Sequence, residues 1–251
     1  MNINWLFLLP AAFMAAFVDA VAGGGGIISI PSFMIAGFPT HIALGTNKFS
    51  MSTGTIISTY RYYKDGKVEF KLLKYLIPFS LIGSVLGVLL VLKLSTEFLQ
   101  PMIMVLLIVV GIYSFFSKSQ GLVNEYKGMT NKNIIKGIVF AFLLGFYDGF
   151  FGPGTGSFII FGLIKIFGFD YVRASGNSKV LNLTSNLAAL VTFALNGKII
   201  FLYAIPTALV MMAGGYIGST VALKGGVKLI KPFFVIMALA AAAKILIESL
   251  T

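Results

Sequence analysis

Four ionisable residues stand inside long apolar runs at matched places: Asp19 and Lys48 in the first half, Asp148 and Lys179 in the second. A charge held within a membrane costs several kcal/mol, which makes each one a functional candidate by default. A lysine offers an anion a positive charge, and a carboxylate can neutralise that lysine or take up a proton. With all four ionised the set sums to zero, and a bound anion would meet a neutral site. Protonating Asp19 or Asp148 would free a lysine, which is the chemistry of proton–anion coupling. The competing reading is two salt bridges that tie helices together. The two agree if a pair opens during a cycle.

Polar side chains surround the lysines on otherwise apolar segments. Asn47 and Ser50 lie beside Lys48, and Asn182 and Asn186 share a helical face with Lys179. They are candidates to hydrogen-bond an oxyanion, although hydrogen bonds between helices would use the same groups. Glycine runs open two short apolar pieces: Gly23 to Gly26 before 27–37, and Gly152-Pro153-Gly154-Thr155-Gly156 before 157–168. A helix N-terminus presents free backbone N–H groups and the positive end of the dipole, so Gly24, Gly25, Gly154 and Thr155 join the candidate substrate site. Close helix crossing explains glycine equally well. At Gly83/Gly87 and Gly214/Gly218 the G-x-x-x-G spacing favours packing. His41 has no counterpart in the other half and reads as an interface residue, outside the site. Most of the tyrosines, and Trp5, fit anchoring at the membrane surface.

These residues need long helices to position them, and composition agrees. Of 251 residues, 58% are hydrophobic and 11% charged. Soluble domains are about 25% charged. The chain has too little polar surface to cover itself in water, which excludes a soluble enzyme, a nucleic-acid-binding domain and a disordered chain. The net charge of +11 reads as lysine and arginine collected in cytoplasmic loops, with the lipid bilayer as partner and no nucleic acid. There are no cysteines and one histidine, so disulfides, thiolate metal sites and a zinc site are not expected, and no cofactor is implied. The N-terminal apolar stretch has no basic residue before it and reads as a retained segment rather than a cleaved signal.

Apolar spans are expected at 41–62, 72–92, 98–117, 171–195, 199–223 and 229–250, with glycine-broken stretches at 1–37 and 133–168 whose pieces do not comfortably span alone. A polar linker at 118–132 divides a first transmembrane repeat, 1–117, from a second, 133–251. At an offset of 131, Lys48 matches Lys179, Gly66-Lys67 matches Gly197-Lys198, Gly83 and Gly87 match Gly214 and Gly218, and Pro101 matches Pro232. If each broken stretch enters and returns to the same side, the repeats are inverted. One side then carries 14 loop lysines and arginines, and the other carries two, Lys93 and Lys198. Parallel repeats give a much weaker bias, so inversion satisfies the positive-inside rule better. The expected fold class is therefore an all-α membrane protein, a polytopic helical bundle of two inverted repeats. Each repeat opens with a glycine-broken, re-entrant or V-shaped, first helix pair.

The segments Phe17-Val18-Asp19-Ala20-Val21-Ala22-Gly23-Gly24-Gly25-Gly26 and Ala43-Leu44-Gly45-Thr46-Asn47-Lys48 resemble the first-half signature of the sulfite exporter TauE/SafE family. Gly145-Phe146-Tyr147-Asp148-Gly149-Phe150-Phe151-Gly152-Pro153-Gly154-Thr155-Gly156-Ser157 and Lys179-Val180-Leu181-Asn182-Leu183-Thr184-Ser185-Asn186 are similar to its second half. The similarity covers essentially the whole chain and is nearest to the YfcA-like branch. It implies a multi-pass transporter of the bacterial inner membrane for small anions, chiefly sulfite and organosulfonates, working by alternating access. A passive anion channel is the alternative. An intramembrane enzyme lacks a catalytic set, and a non-transporting assembly factor has no need of matched buried charges. No P-loop is present, so energy would come from a gradient or a partner. The resemblance fixes neither the exact substrate nor the oligomeric state, and a homo-oligomer is compatible with it.

Overall fold

A computed structural model describes residues 4–116 and 125–225. Nine α-helices, and no strands, are found among them: α1 Trp5–Ala22, α2 Gly26–Ile35, α3 Thr40–Lys64, α4 Phe70–Val91, α5 Thr96–Phe116, α6 Asn131–Phe150, α7 Thr155–Phe167, α8 Tyr171–Leu195 and α9 Phe201–Gly225. Helices are the natural outcome, because an apolar segment in lipid must satisfy its own backbone. Five of them are long and apolar enough to cross a membrane: α1, α4, α6, α8 and α9. α3 is as long as α8, at 25 residues. It falls short in hydropathy because it carries Thr46, Asn47, Lys48, Ser50, Ser52 and Thr55, all buried within the bundle.

The glycine breaks fall where expected, but the piece before the first of them continues through Asp19 to Ala22 and is long enough to span, which the sequence reading did not allow. α1 has 18 residues and α6 has 20, so each approaches the roughly 30 Å of a bilayer core at about 1.5 Å per residue. Asp19 and Asp148 do not shorten these helices, because both are paired inside the bundle. The short pieces α2 and α7 have 10 and 13 residues. The expected span at 229–250 and the linker residues 118–124 lie outside the described residues. The rest of the linker docks on the end of α7, where the N–H groups of Glu125 and Lys127 donate to the Gly168 and Phe167 carbonyls at 2.9 and 2.8 Å.

Each half packs chiefly on the other. α4 lies along α6, α1 along α9, α3 along α9 and α8, and α4 along α8. Small residues permit the closest crossings. A Cβ added to Gly83 or Gly87 would overlap the carbonyl of Phe142 or Phe146, and one added to Gly214 or Gly218 would overlap that of Phe13 or Phe17. Both G-x-x-x-G pairs are therefore crossing points, as their spacing predicts. The order of these contacts also gives direction. Residues 83 and 87 meet 142 and 146 in rising order, so α4 and α6 run the same way, and so do α9 and α1. In contrast, Lys48 meets Asn186 while Thr59 meets the Lys179 carbonyl, so α3 and α8 run oppositely.

Hydroxyls stitch the same interfaces. Ser50 and Thr53 of α3 donate to the Ala204 and Ala208 carbonyls of α9, and Ser84 of α4 donates to the Ser185 carbonyl of α8. Two side-chain acceptors obey the 131-residue offset. Asn177 Oδ1 accepts from the Glu69 N–H, and Thr46 Oγ1 accepts from the Ile200 N–H, each just ahead of the following long helix. Two tyrosines depart from the expected surface anchoring: the buried Tyr62 hydroxyl donates to the Ala20 carbonyl, and the half-buried Tyr147 donates to that of Pro153. His41 keeps to a helix end, with its ring nitrogen 3.0 Å from the Val91 carbonyl.

Valine at position 87 or 218 would have to displace backbone, so each substitution should destabilise the protein by about 1–3 kcal/mol or more. Gly66→Ala meets open space, so its cost should be only the backbone strain of a positive φ of 68°, about 1–2 kcal/mol. Thermal unfolding in detergent checks the contrast.

Candidate functional site

α1 ends where Gly23 takes a left-handed conformation and its N–H returns to the Asp19 carbonyl at 2.7 Å. That turn leaves Asp19 at the negative end of the helix, facing the middle of α8. The Lys179 ammonium meets it there, 2.9 Å from Oδ2 and hydrogen-bonded also to the Asp19 carbonyl. A cation at a helix C-terminus is favourable on dipole grounds as well. In the other half, α6 is capped at Phe151, whose N–H returns to the Tyr147 carbonyl at 2.8 Å, and Lys48 of α3 lies 2.9 Å from Asp148 Oδ2. Each ion pair therefore joins a lysine of one half to an aspartate of the other. The sequence reading matched the residues but did not assign the pairing. All four are 4% exposed or less, and pairing is what makes such burial tolerable.

The broken-helix vertices touch back to back. A Cβ on Gly23 or Gly156 would strike the backbone of the other, the Ser157 N–H donates to the Gly23 carbonyl at 3.1 Å, and the Ser157 hydroxyl donates to the Ala22 carbonyl. One of the free N–H groups expected to await an anion at α7 is thus spent on the other half. The Thr155 hydroxyl and N–H both turn to the Gly152 carbonyl. Gly25 lies against the Ala15 carbonyl and Gly154 against Val110.

Between the vertices and the two long polar helices is a cavity of about 20 Å³. That is room enough for water. Lys48, Asp148 and Asp19 reach it, with Asn47, Asn182 and Asn186. Its floor includes Gly23, Gly26 and Gly152, with Ile30 and Met51 as apolar neighbours. Of the residues singled out from sequence, Lys48, Asn47, Asn182, Asn186, Asp19 and Asp148 come together here. Lys179, Gly24, Gly25, Gly154, Thr155 and Ser50 do not reach the cavity. Ser50 faces α9, bonded to Thr207 at 2.7 Å. The sequence reading placed the backbone approach at Gly24, Gly25 and Gly154, whereas Gly23, Gly26 and Gly152 make it. Gly152 holds a φ of 97°, and its missing side chain leaves Lys48 Nζ only 3.2 Å from where a Cβ would sit. A glycine run alone does not give that phase.

Polar groups in the cavity are incompletely satisfied. Lys48 donates to Asn186 Oδ1 at 2.8 Å, and Asn186 donates to Asn182 Oδ1 at 2.6 Å. The Lys48–Asp148 contact is close but not aligned as a hydrogen bond, so Asp148 Oδ2 has no hydrogen-bond donor, and neither does Asn47 Oδ1. Buried oxygens in that state are costly, by about 1–3 kcal/mol each, unless something else binds them. Among the described residues no cluster of histidine, cysteine and carboxylate can hold a metal ion.

A bundle of membrane-crossing helices around a polar, charged centre defines a multi-pass membrane protein of the transporter class. The chain belongs to the sulfite exporter TauE/SafE family, whose model matches residues 8–245. It is 34% identical over 245 residues to a Haemophilus influenzae protein named "Probable membrane transporter protein", covering 96% of this chain and 94% of the other. It is 36% identical over 242 residues to "Probable membrane transporter protein ORF9" of Sinorhizobium sp., covering 96% and 92%. It is 35% identical over 250 residues to "Probable membrane transporter protein YfcA" of Escherichia coli, covering 96% and 89%. No solved structure matches the chain.

Removing one member of a buried pair strands a charge, whereas removing both leaves an apolar contact. Lys179→Met alone should therefore cost about 3–5 kcal/mol, and Asp19→Leu combined with Lys179→Met should recover most of it. Unfolding midpoints of the single and double variants in detergent measure the difference.

Proposed function

We propose that this protein is a secondary transporter of small anions, of the sulfite or organosulfonate kind, working by alternating access around the Lys48–Asp148 centre. The observation that carries this reading is a buried ammonium beside a cavity whose other polar groups, Asn47, Asn182 and Asn186, converge on it. The family description supplies the chemical class of the substrate. The Lys48 ammonium is engaged by Asp148 and Asn186, so it must part from them to take an anion. That favours a gated cycle over a standing channel. Part of the opening is separation of Lys48 from Asp148. A proton on Asp148 would remove the competing negative charge and leave Lys48 to the anion, which couples the two fluxes. The reciprocity of transport applies, and net direction follows the gradients.

Two repeats of opposite orientation suit such a cycle, with domain bounds at 1–117 and 133–251 and a linker between them. Support comes from the antiparallel course of α3 and α8, which correspond at the 131-residue offset, and from the lopsided loop charge. The corresponding turns test it. Asp65 and Asn196 occupy matching, exposed positions after α3 and α8. In the cysteine-free chain, Asn196→Cys should react with an impermeant thiol reagent from outside intact cells and Asp65→Cys should not. Equal labelling of both would mean parallel repeats.

The transport reading is tested with sulfite, thiosulfate, sulfate and alkanesulfonates in proteoliposomes, with and without a pH gradient. Wild type should give saturable flux of at least one, stimulated by the gradient. Asp148→Asn mimics the protonated state and should keep saturable flux while losing stimulation by the gradient. Undiminished gradient-driven accumulation in Asp148→Asn would exclude the coupling step.

A further inference from the structure

The chain is duplicated, and its two ion pairs look equivalent in sequence. Their surroundings are not. We infer that the centre holds one anion and not two: the Lys48–Asp148 pair is the part that opens for it, and the Lys179–Asp19 pair is a permanent clamp. This rests on the anion-transport reading above.

Three observations separate the pairs. Lys48 reaches the cavity and Lys179 does not. The Lys179 ammonium is held by two groups of one residue, the Asp19 carboxylate and the carbonyl that ends α1, so it fastens α8 to the helix break. Lys48 is held by Asn186 and by a carboxylate oxygen poorly aligned to accept from it. Finally, the oxygens of this centre that lack a hydrogen-bond donor are both on the Lys48 side: Asn47 Oδ1, and Asp148 Oδ2, which has only the misaligned ion pair with Lys48; Asn47 is 4% exposed.

A single conformation of a transporter made of two repeats can look lopsided and exchange sides later in the cycle. The residues themselves argue against such an exchange here. At the 131-residue offset, Asn182 and Asn186 correspond to Met51 and Thr55, and Asn47 corresponds to Ser178. The Thr55 hydroxyl is spent on the Met51 carbonyl and that of Ser178 on the Gly156 carbonyl. The symmetry-related surroundings of Lys179, built from Met51, Thr55 and Ser178, therefore lack the three amides that stand near Lys48. An oxyanion has several oxygens to satisfy, and the Lys48 side is the one with amide donors converging on the cavity. On the other side Asp19 accepts from Lys179 through both Oδ2 and its carbonyl, at the turn on which both broken helices meet.

Sulfite binding to the purified full-length protein, followed by calorimetry and thermal unfolding, tests this. The expected stoichiometry is one anion per chain. Lys48→Gln should weaken binding at least about tenfold, equivalent to about 1.4 kcal/mol. Lys179→Arg keeps the charge of the clamp, and should leave the dissociation constant within about threefold while lowering the melting temperature, whereas Lys48→Arg should weaken binding. Should Lys179→Arg fail to fold, Lys179→Gln replaces it, with the same expectation for affinity. Two anions per chain, or equal loss of affinity from changes at Lys48 and Lys179, would overturn the inference and leave the transport reading intact. No binding heat and no saturable flux of any tested anion in wild type would overturn the transport reading and this inference with it.

Discussion

Everything in this protein is arranged around the cost of holding four charges where there is no water. An isolated ammonium or carboxylate in an apolar bundle is prohibitive, and its partner must come within hydrogen-bond distance. Here each lysine takes its partner from the opposite half. That choice dictates the architecture. α3 and α8 must lie face to face to carry the lysines past one another. α1 and α6 must stop at the right depth to present an aspartate, and each does so at a glycine-rich break. The bundle is then closed by helices close enough to exclude lipid, which G-x-x-x-G crossings at Gly83/Gly87 and Gly214/Gly218 provide.

The polar centre is not uniform in its demands. Near Lys179 the donors and acceptors nearly balance. Near Lys48 two oxygens lack a hydrogen-bond donor, one of them held only by a misaligned ion pair, beside a cavity with room for water. Such imbalance is rare in buried structure and concentrates where something else binds. It also argues for a site that changes shape, because a permanently satisfied network gives no reason to open.

Much of this was legible in the residues. Length and composition lead to membrane helices, and helix boundaries from hydropathy agree closely at α8, whose 171–195 span coincides with the structure. The repeat offset, read from lysines and glycines, recurs in the paired bonds from Asn177 to Glu69 and from Thr46 to Ile200. Four things were not legible. Which aspartate faces which lysine depends on how two halves interlock, and no local pattern carries that. Which glycine of a run approaches the site depends on helix phase: Gly23, Gly26 and Gly152 line the cavity, while Gly25 and Gly154 are packing residues. The hydroxyl of Ser50 looks the same in sequence whether it meets a ligand or, as found, α9. The full-length helix at Trp5–Ala22 was missed because Asp19 seemed to end the apolar run, when burial and pairing let the helix continue through it.

The crossed pairing also has a consequence for how the chain is made. Lys48 is synthesised 100 residues before Asp148, and Asp19 160 residues before Lys179. While the first half leaves the ribosome, both its buried charges lack their eventual partners. The translocation machinery therefore receives α1, apolar enough to cross but with a carboxylate unpaired, and α3, which falls short of that hydropathy and carries an unpaired ammonium. The centre is thus completed only when the second half arrives, and a chain cut off after the first half would hold two buried charges without their partners.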